Sequence, residues 1–229
     1  HAAKLRRYQE LIERYISQQQ GEVRQAIGTY YGDLTQVNGD SIWGVLNMLN
    51  TKYFLMVNPQ DPAKSFSLQN PYAYGNAWLV DELRYVDNAN QELDALGQTD
   101  LRHVAVADKQ FQQALGRATP QDSTATVKLT AYEPNQLTYT VMSQKGGVVV
   151  FSEIYYPGWE ATVDGQPVEL GRVDYVLRAL NIAPGQHEVV LSFFPKSIDT
   201  TERIAYAALA ILGLLVVALM VVQLRKRNR

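Results

Sequence analysis

The residues predict an α+β chain: a mixed α/β N-terminal region, then an antiparallel β-sandwich, then one C-terminal transmembrane helix. Three observations carry this expectation. Apolar residues recur at helical spacing near the N-terminus. Short alternating runs separated by turn residues fill the stretch before residue 200. A stretch near the C-terminus, residues 204–224, holds no charged side chain. The boundaries expected are 1–117 for the mixed region, 118–200 for the sandwich, 201–224 for the membrane helix and 225–229 for a basic tail.

The elements follow in order. Leu5, Tyr8, Leu11, Ile12, Tyr15 and Ile16 alternate with Lys4, Arg6, Arg7, Glu10, Glu13 and Arg14, an amphipathic helix expected to end near Gln20-Gly21. A second helix is expected from Asp40 or Ser41 through Ile42, Val45, Leu46 and Leu49. The run 53–57, stopped by Asn58-Pro59, reads as a buried strand, and 60–74 as a Pro- and Asn-rich connector. Strand 77–86, helix 88–96 and strand 101–106 follow.

After a polar stretch at 118–124 the pattern changes to strands 126–132, 136–142, 148–155, 159–163, 166–170, 173–180 and 186–194. Their turns carry Glu133-Pro134-Asn135, Lys145-Gly146-Gly147, Pro157-Gly158, Asp164-Gly165 and Pro184-Gly185. Asp-Gly between alternating runs is the strongest of these hairpin signals. Seven short strands so spaced suggest a sandwich.

Residues 204–224 span about 31 Å as a helix, against about 30 Å of hydrocarbon. Twelve of these positions are Leu, Ile or Val, so insertion is favoured by several kcal/mol. Arg225, Lys226, Arg227 and Arg229 follow the span, while Lys196 and Arg203 precede it closely. That bias places the tail in the cytoplasm and the bulk of the chain outside it. Asp199 and Glu202 resemble a capping pair for the start of the helix. The chain opens on His1, already inside an element, so targeting information is expected upstream.

Composition excludes several functions. The 229 residues carry 21 Lys+Arg and 23 Asp+Glu; without the four basic tail residues the balance is 17 against 23. A soluble part of that sign is a poor partner for nucleic acid, whose phosphates need clustered Lys and Arg. The absence of Cys excludes disulfides and thiolate chemistry. His1, His103 and His187 have no ligand spacing, and phosphate loops and nucleophile elbows are missing, so no metal and no cofactor are expected. Asp61 and the neighbours Asp81-Glu82 are the carboxylates available for pairing, and solvation explains them equally well.

Aromatic residues gather at loops, in Pro71-Tyr72-Ala73-Tyr74-Gly75-Asn76-Ala77-Trp78 and Tyr155-Tyr156-Pro157-Gly158-Trp159. Sugars stack C–H faces on rings and bond their hydroxyls to amides, carboxylates and guanidiniums. Asn76, Trp78, Tyr156, Trp159, Asp164, Arg172 and Arg178 are therefore the candidate substrate-binding residues. The alternative is that the rings fill the sandwich core and that Asp164 serves only its turn.

The series Tyr155-Tyr156-Pro157-Gly158-Trp159, Val163-Asp164-Gly165, Asp174-Tyr175-Val176-Leu177-Arg178-Ala179, Ala183-Pro184-Gly185-Gln186-His187-Glu188-Val189 and Phe194-Pro195-Lys196-Ser197 is specific as a set. With His1-Ala2-Ala3-Lys4-Leu5-Arg6-Arg7-Tyr8-Gln9, Asn47-Met48-Leu49-Asn50-Thr51-Lys52-Tyr53 and Gly75-Asn76-Ala77-Trp78, it resembles the C-terminal end of the YfhO family of bacterial membrane proteins, most like its Bacteroidetes versions. The resemblance implies a large polytopic protein of the cytoplasmic membrane, similar to GT-C glycosyltransferases that use lipid-linked sugars and modify cell-surface polymers. It implies catalytic acids in an early external loop upstream, so no catalytic residue is carried over to this chain. The partners so implied are the lipid bilayer, the upstream membrane spans, and a glycan or lipid-linked sugar. A membrane-anchored carbohydrate-binding module and a structural or assembly module stand as alternatives.

Overall fold

The computed structural model describes residues 5–58, 60–119 and 122–227; residues 1–4, Pro59 and Arg229, on which parts of the sequence reading rest, lie outside them. The N-terminal amphipathic pattern folds as one long rod: α1 (Arg6–Leu11), a π-helical turn (Ile12–Ile16) and α2 (Ser17–Thr29). The rod does not stop at Gly21, because Val23, Ala26 and Ile27 continue the buried stripe beyond it. A mid-helix glycine costs only about 1 kcal/mol, which that packing offsets. The second helix is broken at Trp43 into α3 (Gly39–Ile42) and α4 (Gly44–Met48), with the Trp43 ring fully buried against Phe54 and Tyr72.

Next comes a hairpin of β1 (Tyr53–Met56) and β2 (Phe66–Gln69), so the expected connector contains a strand. The expectation of a buried β1 fails. Phe54 is buried, but Tyr53, Leu55, Val57 and Phe66 are exposed, because a two-stranded ribbon leaves one face uncovered. The single strand expected over 77–86 is two strands in different sheets, β3 (Ala77–Val80) and β4 (Glu82–Val86), parted at Asp81. β4 pairs in parallel with β5 (Val104–Asp108) through the crossover helix α5 (Ala89–Ala95). Asn88 caps α5 by accepting from the Gln91 N–H at 3.0 Å. A short α6 (Gln112–Leu115) leads into the strand-rich part.

That part holds β6 (Thr126–Glu133), β7 (Gln136–Ser143), β8 (Gly147–Ile154), β9 (Trp159–Val163), β10 (Gln166–Val168), β11 (Gly171–Val173), β12 (Leu177–Ile182) and β13 (Gly185–Phe193). They form two antiparallel sheets, ordered β10-β9-β13-β7-β6 and β11-β12-β8-β3. Leu137, Tyr139, Val141, Val189 and Leu191 of the first meet Val149, Phe151, Leu180 and Ile182 of the second. The rings of Tyr139 and Phe151 touch edge to face at 4.9 Å. The residues predicted an α+β chain with a mixed region followed by an antiparallel sandwich, and the structure has that class, with β3 of the preceding region serving as edge strand of the second sheet.

The second sheet is covered on both faces. Val148, Val150, Leu177 and Ala179 point away from the sandwich into a core shared with Leu11, Ile16, Trp43, Leu46, Met48 and Leu101. This is why β8 reads as an unbroken apolar run, whereas β7, solvated on one side, alternates. The strand expected over 173–180 is interrupted because Asp174 and Tyr175 take positive φ values of 49° and 71°. The Asp164-Gly165 turn has φ of 51° and 77°, as a two-residue hairpin of primed type requires.

Phe194 donates its N–H to the Gly158 carbonyl at 2.8 Å, and after Pro195 the chain enters α7 (Lys196–Arg227). The helix begins three residues before Asp199, so the expected capping pair lies inside it. Thr200–Arg227 is long and apolar enough to cross a membrane, and none of its most apolar window is buried in protein. A core helix of a soluble domain would be covered; this one presents Leu, Ile and Val on every side.

Candidate functional site

β3 and β6 are edge strands of their respective sheets and lie on the same side of the sandwich. Between them opens a polar groove of about 510 Å³, with Ala77, Leu79, Val127 and Leu129 on its walls. The break between β3 and β4 sets its chemistry. Asp81 and Glu82 both donate backbone N–H groups to the His103 carbonyl, at 2.7 and 3.1 Å. The same two segments bring the Asp81 carboxylate within 2.7 Å of His103 Nδ1. One imidazole nitrogen is thus held by a carboxylate, which fixes the ring and leaves Nε2 for a ligand.

Arg102 adds a guanidinium that donates to the Tyr74 carbonyl at 3.2 Å and lies 5.4 Å from the Tyr74 ring centroid. Asn76 lines the groove from the loop before β3, whose backbone is pinned by Ser152 N–H on the Asn76 carbonyl at 3.0 Å. Asp122 closes one end as a structural knot. It accepts from Thr124 N–H, the Ser143 hydroxyl at 3.0 Å and the Gln144 N–H at 2.6 Å. Those bonds, the Thr124 hydroxyl foremost, hold its carboxyl far below the usual range. Imidazole, carboxylate, guanidinium and amide around an open polar groove suit a ligand rich in hydroxyls. No group of three or more metal-ligating side chains occurs among the described residues. A larger cavity, about 710 Å³, is lined by Gln18, Glu22, Asp40 and other polar residues.

A family model described as bacterial membrane protein YfhO matches residues 17–204, more than half of the chain. The chain belongs to the YfhO family. No curated protein and no solved structure gives a match. The YfhO match covers the groove and the whole sandwich, and runs into the start of the membrane helix.

Within this YfhO chain the seven sequence-derived candidates do not meet in one place. Asn76 and Trp78 are at the groove, but Trp78 is 4% exposed and its ring packs on Tyr74 at 5.1 Å, so it supports the wall from inside. Trp159 and Arg178 form a stack, the guanidinium 3.7 Å from the ring centroid, with Arg178 Nε donating to the Ile154 carbonyl at 3.0 Å. Burial pushes the Arg178 guanidinium down to about 10. Tyr156 and Trp159 both contact the Phe193 ring, at 6.1 and 5.4 Å. Asp164 stands apart at its turn, paired with His187 Nδ1 at 2.6 Å and accepting the Glu188 N–H at 2.9 Å.

Arg172 is drawn into an ion cluster invisible in the sequence. Glu92 of α5, fully buried, accepts from Arg172 Nη2 at 3.0 Å, Arg7 Nη1 at 3.4 Å and the Tyr175 N–H at 3.1 Å. Burial pushes the Glu92 carboxyl up while Arg172 pulls it back. Beside it Asp174, also fully buried, exchanges bonds with Val106: its Oδ1 accepts the Val106 N–H at 2.8 Å and its own N–H donates to the Val106 carbonyl at 2.7 Å. Burial pushes the Asp174 carboxyl well up. These bonds hold the positive-φ pair Asp174-Tyr175 in place.

His103, Arg102, Glu92 and Arg7 were not among the candidates. The signal for His103 and Asp81 was their position at the N-terminal ends of the two strands of a βαβ unit, β4 and β5. Parallel pairing brings such ends together only once the register is known.

Proposed function

We propose that this YfhO chain is the extracytoplasmic C-terminal module of a polytopic protein that glycosylates cell-surface polymers in the manner of GT-C glycosyltransferases. In this reading the catalytic loop lies upstream, and the groove holds the hydroxyl-rich acceptor. The protein sits in the bacterial cytoplasmic membrane, with its Arg225-Lys226-Arg227 end inside. The observation that carries the reading is the groove's set of His103, Asp81, Arg102 and Asn76 at the open side of a membrane-tethered sandwich.

The test is saturation-transfer NMR of the chain in nanodiscs against a panel of bacterial surface oligosaccharides. Binding is expected, and His103→Ala and Arg102→Ala are each expected to weaken it roughly tenfold. Absence of binding across the panel overturns the reading. A membrane-anchored carbohydrate-binding module is the second reading, favoured by the exposure of the His103–Asp81 pair, since chemistry on sugars is usually sequestered from water. The two separate on whether the intact protein transfers sugar to a bound glycan.

A further inference from the structure

A third cavity, of about 400 Å³, lies between the N-terminal helix and the β8–β9 turn. The first turn of α1 forms one side and the Ile154-Tyr155-Tyr156-Pro157 turn the other, with Arg172, Tyr175 and Val176 between them. Leu5, Tyr8, Tyr155, Pro157 and Val176 make its surface largely apolar, while Arg7 and Arg172 supply charge.

Among the described residues that charge is not fully balanced. Arg6 pairs with Glu10 at 2.9 Å, and the Tyr175 hydroxyl donates to the other Glu10 oxygen. Arg7 and Arg172 then share one carboxylate, Glu92. Asp174 does not restore the balance, since its burial favours the neutral acid. One cationic charge is left over, and the buried Arg172 Nε has no hydrogen-bond partner among the described residues. Arg7 lies 4.5 Å over the Tyr175 ring, held in place and one-third exposed.

The cavity also lies beside the point where the chain leaves for the membrane. The turn that walls it carries the Gly158 carbonyl that binds Phe194 N–H, and Tyr156 contacts Phe193. From Lys196 to Ile204, where the uncharged stretch begins, the helix rises about 12 Å. The headgroup layer takes up roughly 5–8 Å of that. Lys196 thus stands roughly 4–7 Å above the headgroups, within reach of a lipid raised partly out of its leaflet, and a pocket there with apolar walls and surplus guanidinium charge matches an amphiphile better than a free anion.

We propose that this cavity binds an anionic membrane lipid, its phosphate on Arg7 and Arg172 and its adjoining apolar part against Leu5, Tyr155 and Tyr156. The site would fix the module's height and orientation on the bilayer. The proposal rests on α7 crossing the membrane and is independent of the groove and of sugar transfer.

The basic tail also attracts anionic headgroups, so the test uses the 229-residue chain with Arg225→Gln, Lys226→Gln and Arg227→Gln. This protein, released from nanodiscs holding equal parts of phosphatidic acid, phosphatidylcholine and diacylglycerol, is examined by native mass spectrometry for retained lipid. Phosphatidic acid is expected to be retained roughly tenfold more than either other lipid. Arg7→Gln and, separately, Tyr156→Ala are expected to abolish most of that preference, whereas Arg24→Gln on the exposed face of α2 leaves it unchanged. Tyr156→Ala, at a half-exposed surface ring, keeps the test valid if Arg7→Gln fails to fold. Equal retention of the three lipids overturns the proposal. So does a preference that survives both variants, and so does equally strong competition by soluble glycerol 3-phosphate, which would make the ligand a free phosphate ester.

Discussion

Glu92→Gln offers the most direct test of how the two halves of the module are joined. Glu92 sits on α5, fully buried, and its oxygens meet groups from three other places: Arg7 on α1, Arg172 on β11 and the Tyr175 N–H in the strained turn. The amide keeps an acceptor for Tyr175 but removes the charge that both guanidiniums face. Arg7, one-third exposed, turns to solvent at little cost. Arg172, whose side chain is 9% exposed, has no such escape. Stranding a buried ion in this way costs about 3–5 kcal/mol, and the retained amide contact puts the expected loss near the lower figure, about 3 kcal/mol. In urea denaturation of the chain in detergent micelles, followed by Trp43 and Trp78 fluorescence, this corresponds to a midpoint drop of about 1–1.5 M. Replacing both partners, Glu92→Leu with Arg172→Met, is expected to return stability to within about 1 kcal/mol of the parent. A midpoint for Glu92→Gln indistinguishable from the parent would mean that the carboxyl carries no charge in the folded protein, and would refute the reasoning. A double variant as unstable as the single one would refute it equally.

Three further predictions concern single groups. Asp174 has a folded-state pKa raised above its ordinary 3.8, so its contribution to stability is complete below that value and is lost as pH rises toward the folded pKa. Asp174→Asn is expected to flatten this part of the curve of urea midpoint against pH from 4 upward, and an unchanged curve would count against a buried neutral acid. His187 is raised above 6.5 and Asp164 lowered below 3.8, each chiefly by the bond between them, so the pair stabilises fully between these two values, progressively less as pH rises above 6.5 and less again as pH falls below 3.8. Asp164→Asn should bring the His187 NMR titration midpoint back toward 6.5; a midpoint that stays put would show that the bond is not the cause. Gly146 has φ of 70° and a Cβ there would lie 2.6 Å from the Ile182 carbonyl oxygen, whereas at Gly165, φ 77°, it would meet nothing within 4 Å. Gly146→Ala is expected to cost roughly 2–4 kcal/mol and Gly165→Ala only about 1 kcal/mol, so equal losses would show that backbone strain alone decides.

The strand-rich half was legible because its signals are local. Glu133-Pro134-Asn135, Asp164-Gly165 and Pro184-Gly185 punctuate runs whose alternation or continuity marks one covered face or two. What was lost is long-range. Nothing between Ala77 and Val86 announces that the chain changes sheets at Asp81, because each piece reads as a strand in either setting. Tyr53, Leu55 and Phe66 look like core residues by composition, and only the lack of a covering layer leaves them exposed. The candidate site suffered similarly. Aromatic loops drew attention to Trp78 and Trp159, yet the rings pack inward or against Arg178. Of the polar groups that line the groove, Asn76 was named from the sequence, while Asp81, Arg102 and His103 reach it only through strand pairing. Arg172 was singled out for a ligand, and Glu92, eighty residues earlier in the chain, claims one of its nitrogens.

The doubly covered sheet of β11, β12, β8 and β3 works as a party wall between two rooms. A fragment beginning after residue 117 would forfeit the edge strand β3 and expose Val148, Val150, Leu177 and Ala179 to water. The helical half cut free would lose the partition its own side chains rest on. Recombination between relatives is therefore expected to exchange the whole unit or nothing, and any soluble derivative made for crystallisation should keep both rooms and cut instead between Phe194 and the helix that follows.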